Sequence, residues 1–207
     1  MMVVVVTYVS MLRGINVGGR RKVRMEELKR AYDSLGLGGV RTYIQSGNVI
    51  FEHPREDEWS LAARIEKRLE ERLGFPVPTV LRTAGEVREA IRDAPFVGRD
   101  PGKLHVTFLS AAPREVPVRE IDAARTGAED FAVAGREVYL YLPDGYGRTR
   151  LTNAFFERKL GVTATTRNWK TVNALSDAMA GPPPTGGRTP EGPLDAAGGQ
   201  VRRRSRA

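Results

Sequence analysis

The sequence predicts an α+β fold built from two ferredoxin-like (split βαβ) halves with antiparallel sheets, and three observations carry that prediction. Strand-like and helical periodicities alternate over the first 83 residues in the order β-α-β-β-α-β. The same order returns, more loosely, up to residue 180. Beyond that point the composition shifts to Pro, Gly and Arg, beginning Pro182-Pro183-Pro184.

Residues 3–12 are a run of β-branched and apolar side chains, read as a strand. The glycine loop Arg13-Gly14-Ile15-Asn16-Val17-Gly18-Gly19 follows. Met25, Leu28, Tyr32 and Leu35 recur at helical spacing until Gly36 stops the helix. Residues 40–45 and 48–52 are strands joined by Ser46-Gly47, a hairpin turn signal. Trp59, Leu61, Ala62, Ile65, Leu69 and Leu73 mark a second helix stopped by Gly74, and residues 77–82 are a fourth strand. Thr83-Ala84-Gly85-Glu86 reads as a capping box opening a linking helix that ends before Pro95.

In the second half, residues 104–110 read as a strand and 115–125 as a weak helix with prolines at its start. Residues 131–134 and 137–142 form a hairpin around Gly135-Arg136, and 151–160 are a helix containing Phe155 and Phe156. A last helix starts near Thr166 and carries Trp169, Val172, Leu175 and Met179. The predicted organisation is therefore a ferredoxin-like half over 1–83, a second, degraded copy over 84–180, and a disordered tail over 181–207. The tail composition cannot bury enough apolar area to offset its ordering entropy.

The chain has no cysteine, which excludes disulfides, thiolate nucleophiles, zinc–sulfur sites and iron–sulfur clusters. Its two histidines, His53 and His105, lie far apart and outside any metal-ligand spacing. No metal and no cofactor is implied, and any catalysis would fall to carboxylates, hydroxyls, Lys, Arg or backbone groups. The apolar N-terminal run has no basic residue before it and no small-residue cleavage site after it, and Arg13 interrupts it short of a membrane span. A buried strand is the expectation, with a cytoplasmic location and no membrane partner. The net charge of +8 suggests a polyanionic partner. The tail contributes five arginines against Glu191 and Asp195, however, and arginine outnumbers lysine 27 to 6, a bias that GC-rich codons also produce.

Three stretches are candidates for chemistry. Glycines in the loop 13–19 free backbone N–H groups to point at an anion, and Arg20, Arg21 and Lys22 add positive charge. The spacing matches neither GxxxxGK[ST] nor GxGxxG, and a tight turn needing positive φ explains the glycines equally. The second stretch is Tyr43-Ile44-Gln45-Ser46-Gly47-Asn48, which also reads as an ordinary hairpin. In a β-α-β-β unit the first two strands run parallel, so the loop after strand one and this hairpin share one end of the sheet. The third is Thr165-Thr166-Arg167-Asn168-Trp169-Lys170-Thr171, read as a threonine-capped helix whose basic first turn opposes the macrodipole. A bound anion or a carboxylate from elsewhere in the chain would relieve that conflict, and the alternative makes Trp169 core and Arg167 a salt-bridge partner.

These residues carry a resemblance. Leu12 to Gly19, Met25 and Leu28, Thr42 to Val49 with Phe51, and Thr166-Arg167-Asn168-Trp169 with Thr171 resemble the signature of domain-of-unknown-function family 1697, uncharacterised bacterial proteins. The resemblance spans about residues 3 to 180. It implies a two-part α+β fold with ferredoxin-like halves and implies no activity.

Two functions follow as expectations. The first is binding of an anionic, phosphorylated small molecule in a cleft between the halves, lined by Arg13, Gly14, Asn16, Gly18, Gly19, Gln45, Ser46, Asn48, Arg167 and Asn168. In that cleft Arg13 and Arg167 would grip the ligand with planar forks. The alternative is weak, largely nonspecific nucleic-acid binding, resting on net charge and on the architecture shared with the RRM. Against it, strand 48–52 lacks the aromatic-rich RNP pattern, and Tyr8 and Tyr43 are expected to cover an interface between the halves. No nucleophile or acid–base pair stands out, so enzyme status is left open.

Overall fold

The computed structural model describes residues 4–16, 21–43, 47–96 and 98–181. The predicted tail after Gly181 lies outside them. The first half runs β1 (Val5–Leu12), α1 (Met25–Asp33), β2 (Gly38–Tyr43), β3 (Asn48–Pro54), α2 (Glu58–Leu73), β4 (Thr79–Thr83) and α3 (Ala84–Arg92). The second runs β5 (Leu104–Leu109), α4 (Val118–Ala124), β6 (Asp130–Ala134), β7 (Glu137–Tyr141), α5 (Asn153–Leu160), β8 (Ala164–Asn168) and α6 (Trp169–Met179). Each half forms one four-stranded sheet, ordered β2-β3-β1-β4 and β6-β7-β5-β8, with every pairing antiparallel.

Two expectations need correction. The second half is not degraded: it holds all four strands and ends, like the first, in an additional helix. The missed strand is β8, over residues that read as a helix start. Asn168 keeps extended dihedrals, φ −69° and ψ 157°, and its side chain accepts from the Thr171 amide at 2.8 Å. The helix cap is therefore Asn168, not a threonine, and Arg167 lies on the strand before the cap rather than in the first turn of the helix. The capping box at Thr83 and Glu86 forms as expected, with both reciprocal bonds present.

The strand registers make the two halves superimposable residue by residue. Val9 faces Arg82 across β1 and β4 as Val106 faces Arg167 across β5 and β8. Met11 faces Asn48 as Phe108 faces Glu137. The Leu12 amide donates to the Gly47 carbonyl at 2.8 Å, and the Leu109 amide to that of Arg136 at 2.9 Å. Asp57 caps α2 through the Ser60 amide as Thr152 caps α5 through that of Phe155. By this register Asn48 corresponds to Glu137, Asn153 to Glu58, Thr171 to Glu86, Arg13 to Ser110 and Glu157 to Ala62.

Alternation along the strands divides the interior into three cores. Tyr8, Leu12, Val49, Phe51 and Leu81 pack under α1 and α2 with Leu28, Tyr32, Leu61 and Ile65. Leu109, Val138 and Leu140 pack under α4 and α5 with Ile121 and Phe156. Between them, the other faces of both sheets (Val9, Met11, Ile50, Val80, Val106, Phe108) close around α3 and α6. Tyr43 packs against this central core, as expected, but Tyr8 belongs to the first core, stacked on Phe51 at 5.5 Å. Trp59, at the second position of α2, lies off the buried stripe and is 61% exposed.

Candidate functional site

Arg167 leaves β8 next to the central core and crosses into the first half, 8% exposed. Its Nε donates to Asn48 Oδ1 at 2.7 Å. Nη1 donates to Thr165 Oγ1 at 2.7 Å and to its neighbour's carbonyl, that of Thr166, at 3.0 Å. Nη2 donates to the carbonyls of Leu12 at 3.1 Å and Gly47 at 3.4 Å. All five guanidinium N–H groups therefore meet neutral acceptors. Among the described residues no carboxylate pairs with it. Burial pulls its pKa down to about 10, with only Tyr146 acting the other way, so it stays charged in an environment that solvates the charge poorly.

Arg82 is its counterpart on β4, fully buried. Nη2 donates to the carbonyls of Leu109 at 2.8 Å and Arg136 at 2.9 Å, the positions equivalent to Leu12 and Gly47. Nη1 bonds its neighbour's carbonyl, that of Leu81, at 2.7 Å. Its Nε, however, meets a carboxylate, Glu137 Oε1, at 2.8 Å. Burial lowers the Arg82 pKa too, and here Glu137 opposes the shift.

A cleft of about 490 Å³ opens beside Arg167, lined by residues that include Arg13, Gly14, Tyr146, Asn153, Asn168 and Thr171. Sequence reasoning thus brought Arg13, Gly14, Arg167 and Asn168 to one place. Asn48 sits behind Arg167, holding its Nε, and its own Nδ2 donates to the Tyr43 carbonyl at 3.4 Å. Asn16 takes positive φ, 54°, and bonds the amide of Val23 at 2.8 Å and its carbonyl at 3.2 Å. Those bonds fold the loop back on itself. Gly18, Gly19, Gln45 and Ser46 lie outside the described residues.

Arg13 does reach the cleft, but as half of an ion pair. Its Nε and Nη2 donate to the two oxygens of Glu157 at 3.1 and 3.2 Å, and Glu157 also accepts from the Ala164 amide at 3.2 Å. The salt bridge considered for Arg167 thus belongs to Arg13. The expectation that both arginines offer open forks fails for Arg167, whose donors are all used.

The helices α5 and α6 begin at this cleft, through Asn153 and Thr171, and neither carries an acid in its first turn. In the equivalent cleft, of about 560 Å³, Glu58 opens α2 and Glu86 sits in the first turn of α3. Arg136 donates to Glu58 at 2.7 Å and to Glu86. Burial alone would raise the Glu86 pKa, yet the Thr83 amide and the Arg136 charge together hold it below the usual carboxylate range. Sequence reasoning singled out the stretch that holds Thr171 but did not place that residue in the cleft, and it missed Asn153, Tyr146 and Glu157, whose signal is the register that equates the two halves.

Among the described residues no group of three or more His, Asp or Glu side chains is placed to hold a metal. No described helix is long and apolar enough to cross a membrane.

No curated protein matches the chain. In fold it is similar to the conserved bacterial protein SP0830 from Streptococcus pneumoniae, at a TM-score of 0.65 and 24% identity, over 85% of this chain and 99% of that one. The loop 13–16, the 42–49 hairpin and both buried arginine straps fall wholly or partly in the segment over which a family model matches. Residues 5–139 match the protein of unknown function family DUF1697, and the chain belongs to that family.

Proposed function

We propose that the cleft beside Arg167 binds an anionic, phosphorylated small molecule. One observation carries the reading. Where the equivalent cleft is lined by the carboxylates Glu58 and Glu86, this one is lined by Asn153 and Thr171, and Asn48 takes the place of Glu137 as the acceptor for the Nε of the buried arginine, which is kept. A buried cation without a counter-charge is costly, and two helix N-termini without acids add further positive potential. An anion from outside compensates all three. The hydroxyls and amides of Tyr146, Thr152, Asn153 and Thr171 surround the space it would enter. Nucleic-acid binding in the RRM manner is the weaker reading, since it uses an open sheet face and both sheets are packed on both faces.

Thermal unfolding in inorganic phosphate tests the proposal. Millimolar phosphate is expected to raise the Tm of the native chain, because a ligand that binds only the folded state stabilises it. Thr171→Glu restores the carboxylate found at Glu86 and allows a capping box with Asn168; it should raise the ligand-free Tm and abolish the phosphate effect. Asn153→Asp keeps the side-chain shape and should weaken the phosphate effect through its added negative charge alone. A native Tm unmoved by phosphate, or an undiminished response in both variants, would sink the reading.

A further inference from the structure

We infer that Arg13 is the side chain that grips the ligand, and that Glu157 is a built-in stand-in for the ligand's anionic group, displaced when the ligand binds. The inference rests on the anion-binding reading above and deepens it.

Three observations support it. First, Arg167 supplies charge but no hydrogen bond, because every N–H it has is already used within the protein. Among the described residues that line this cleft, any direct guanidinium contact falls to Arg13, whose Nη1 makes no bond to the others. Second, the Arg13–Glu157 pair is loose. Its distances of 3.1 and 3.2 Å exceed the roughly 2.7–2.9 Å of a well-formed charge-assisted pair, and both side chains are about a quarter to a third exposed, at 27% and 30%. Exposed pairs of this kind contribute little to stability.

Third, the fold does not need the pair. The equivalent positions in the other half are Ser110 and Ala62, and they line a small cavity of about 150 Å³ instead. The Arg13 amide makes the same backbone bond as that of Ser110, to Pro78 and Thr163 respectively. The ion pair is therefore an addition on the side where the cleft lacks its carboxylates.

The geometry also defines the group recognised. Glu157 presents two oxygens to Nε and Nη2, so the displacing group must offer a two-oxygen anionic face, as a phosphate or a carboxylate does. Glu157 would keep its bond from the Ala164 amide while releasing Arg13.

The test is calorimetric titration of the full chain with inorganic phosphate and, separately, with acetate. Glu157→Gln keeps an acceptor for the Ala164 amide and removes the competing charge. It should bind phosphate about tenfold more tightly than the native chain with its ligand-free Tm little changed. Arg13→Ser places at this position the residue its counterpart already carries; it should fold and lose phosphate binding. In the native chain the Arg13 Nε–H resonance should shift on adding phosphate. Acetate competing with phosphate would assign the site to either anion, and acetate failing to compete would restrict it to phosphate. If the native chain binds phosphate but Glu157→Gln binds it no more tightly, the stand-in role is wrong and the anion-binding reading survives. If neither protein binds phosphate, both fall.

Discussion

Arg82 and Arg167 leave equivalent strands at the same register and reach the same pair of backbone carbonyls in the opposite half, yet only Arg82 finds a carboxylate at the end of its reach. The shared bonds are architectural. Each guanidinium donates to a carbonyl at a strand end and adds a second donor to a hairpin carbonyl that already accepts a backbone amide, and so ties the two sheets together. The unshared bond separates the two clefts: Glu137 neutralises one strap, and Asn48 satisfies the other without neutralising it. A comparison inside one chain holds fold, solvent and composition constant, so the difference in charge is not a requirement of the architecture.

The comparison breaks most visibly at the straps. Arg82→Met would leave Glu137 without its buried cation and withdraw the guanidinium donors from the Leu81 and Leu109 carbonyls. Removing one partner of a buried pair typically costs about 3–5 kcal/mol. Arg167→Met withdraws donors from the Leu12 and Thr166 carbonyls and the Asn48 oxygen but also removes an uncompensated buried charge. Its cost should be smaller, about 1–3 kcal/mol, the range for unsatisfied buried acceptors. Urea unfolding of both variants measures the gap. Equal losses would mean that the missing counter-charge at Arg167 carries no energetic consequence.

The comparison was only partly legible in the sequence. The order of elements, the glycine stops at Gly36 and Gly74, and the capping box at Thr83 and Glu86 are local signals and could be read directly. Strand β8 could not, because Ala164 to Asn168 is a short, threonine-rich run ending in a good N-cap residue, and the helix signal masks the strand. Missing it hid the completeness of the second half, and with it the equivalence of Arg82 and Arg167. The closeness of the loop after β1 to the β2–β3 hairpin was legible from strand direction alone, whereas strand direction said nothing of Arg167, which comes from the other half and read as part of a helix start. Which of Arg13 and Arg167 pairs with a carboxylate was not legible either. Glu157 lies 144 residues from Arg13 and looks like any solvent-facing helical glutamate.

The counter-charge can also be transplanted. Asn48→Asp nearly preserves shape and gives Arg167 the carboxylate that Glu137 gives Arg82. It forfeits the long Nδ2 bond to the Tyr43 carbonyl, 3.4 Å, and gains a charge-assisted bond from Nε. The expected result is a ligand-free stability gain of about 1 kcal/mol together with a fall in phosphate affinity of tenfold or more, read by urea unfolding and calorimetry. A variant that binds phosphate as well as the native chain would show that Arg167's net charge is irrelevant to the cleft.

The smallest effect concerns pH. Tyr8 and His105 occupy equivalent places on β1 and β5, but only histidine has an ordinary pKa near neutrality. Its ring lies on Tyr146, which lines the cleft, with centroids 5.6 Å apart. Burial lowers its pKa, opposed weakly by the Lys103 carbonyl 3.4 Å from Nδ1. The folded chain therefore resists a proton that the unfolded chain accepts near pH 6.5. With more protons bound to the unfolded state, stability rises with pH in this window. The contribution is fully present above about pH 6.5 and is lost as pH falls toward the depressed folded value. His105→Tyr, which installs the aromatic found at Tyr8, should flatten the stability profile of the native chain between about pH 6.5 and 5 while leaving stability at pH 8 nearly unchanged. Unfolding free energies at a series of pH values measure this directly. A variant whose profile keeps the native slope would mean that the ring already protonates as freely in the folded chain as in the unfolded one, and that its stacking on Tyr146 does not exclude water from it.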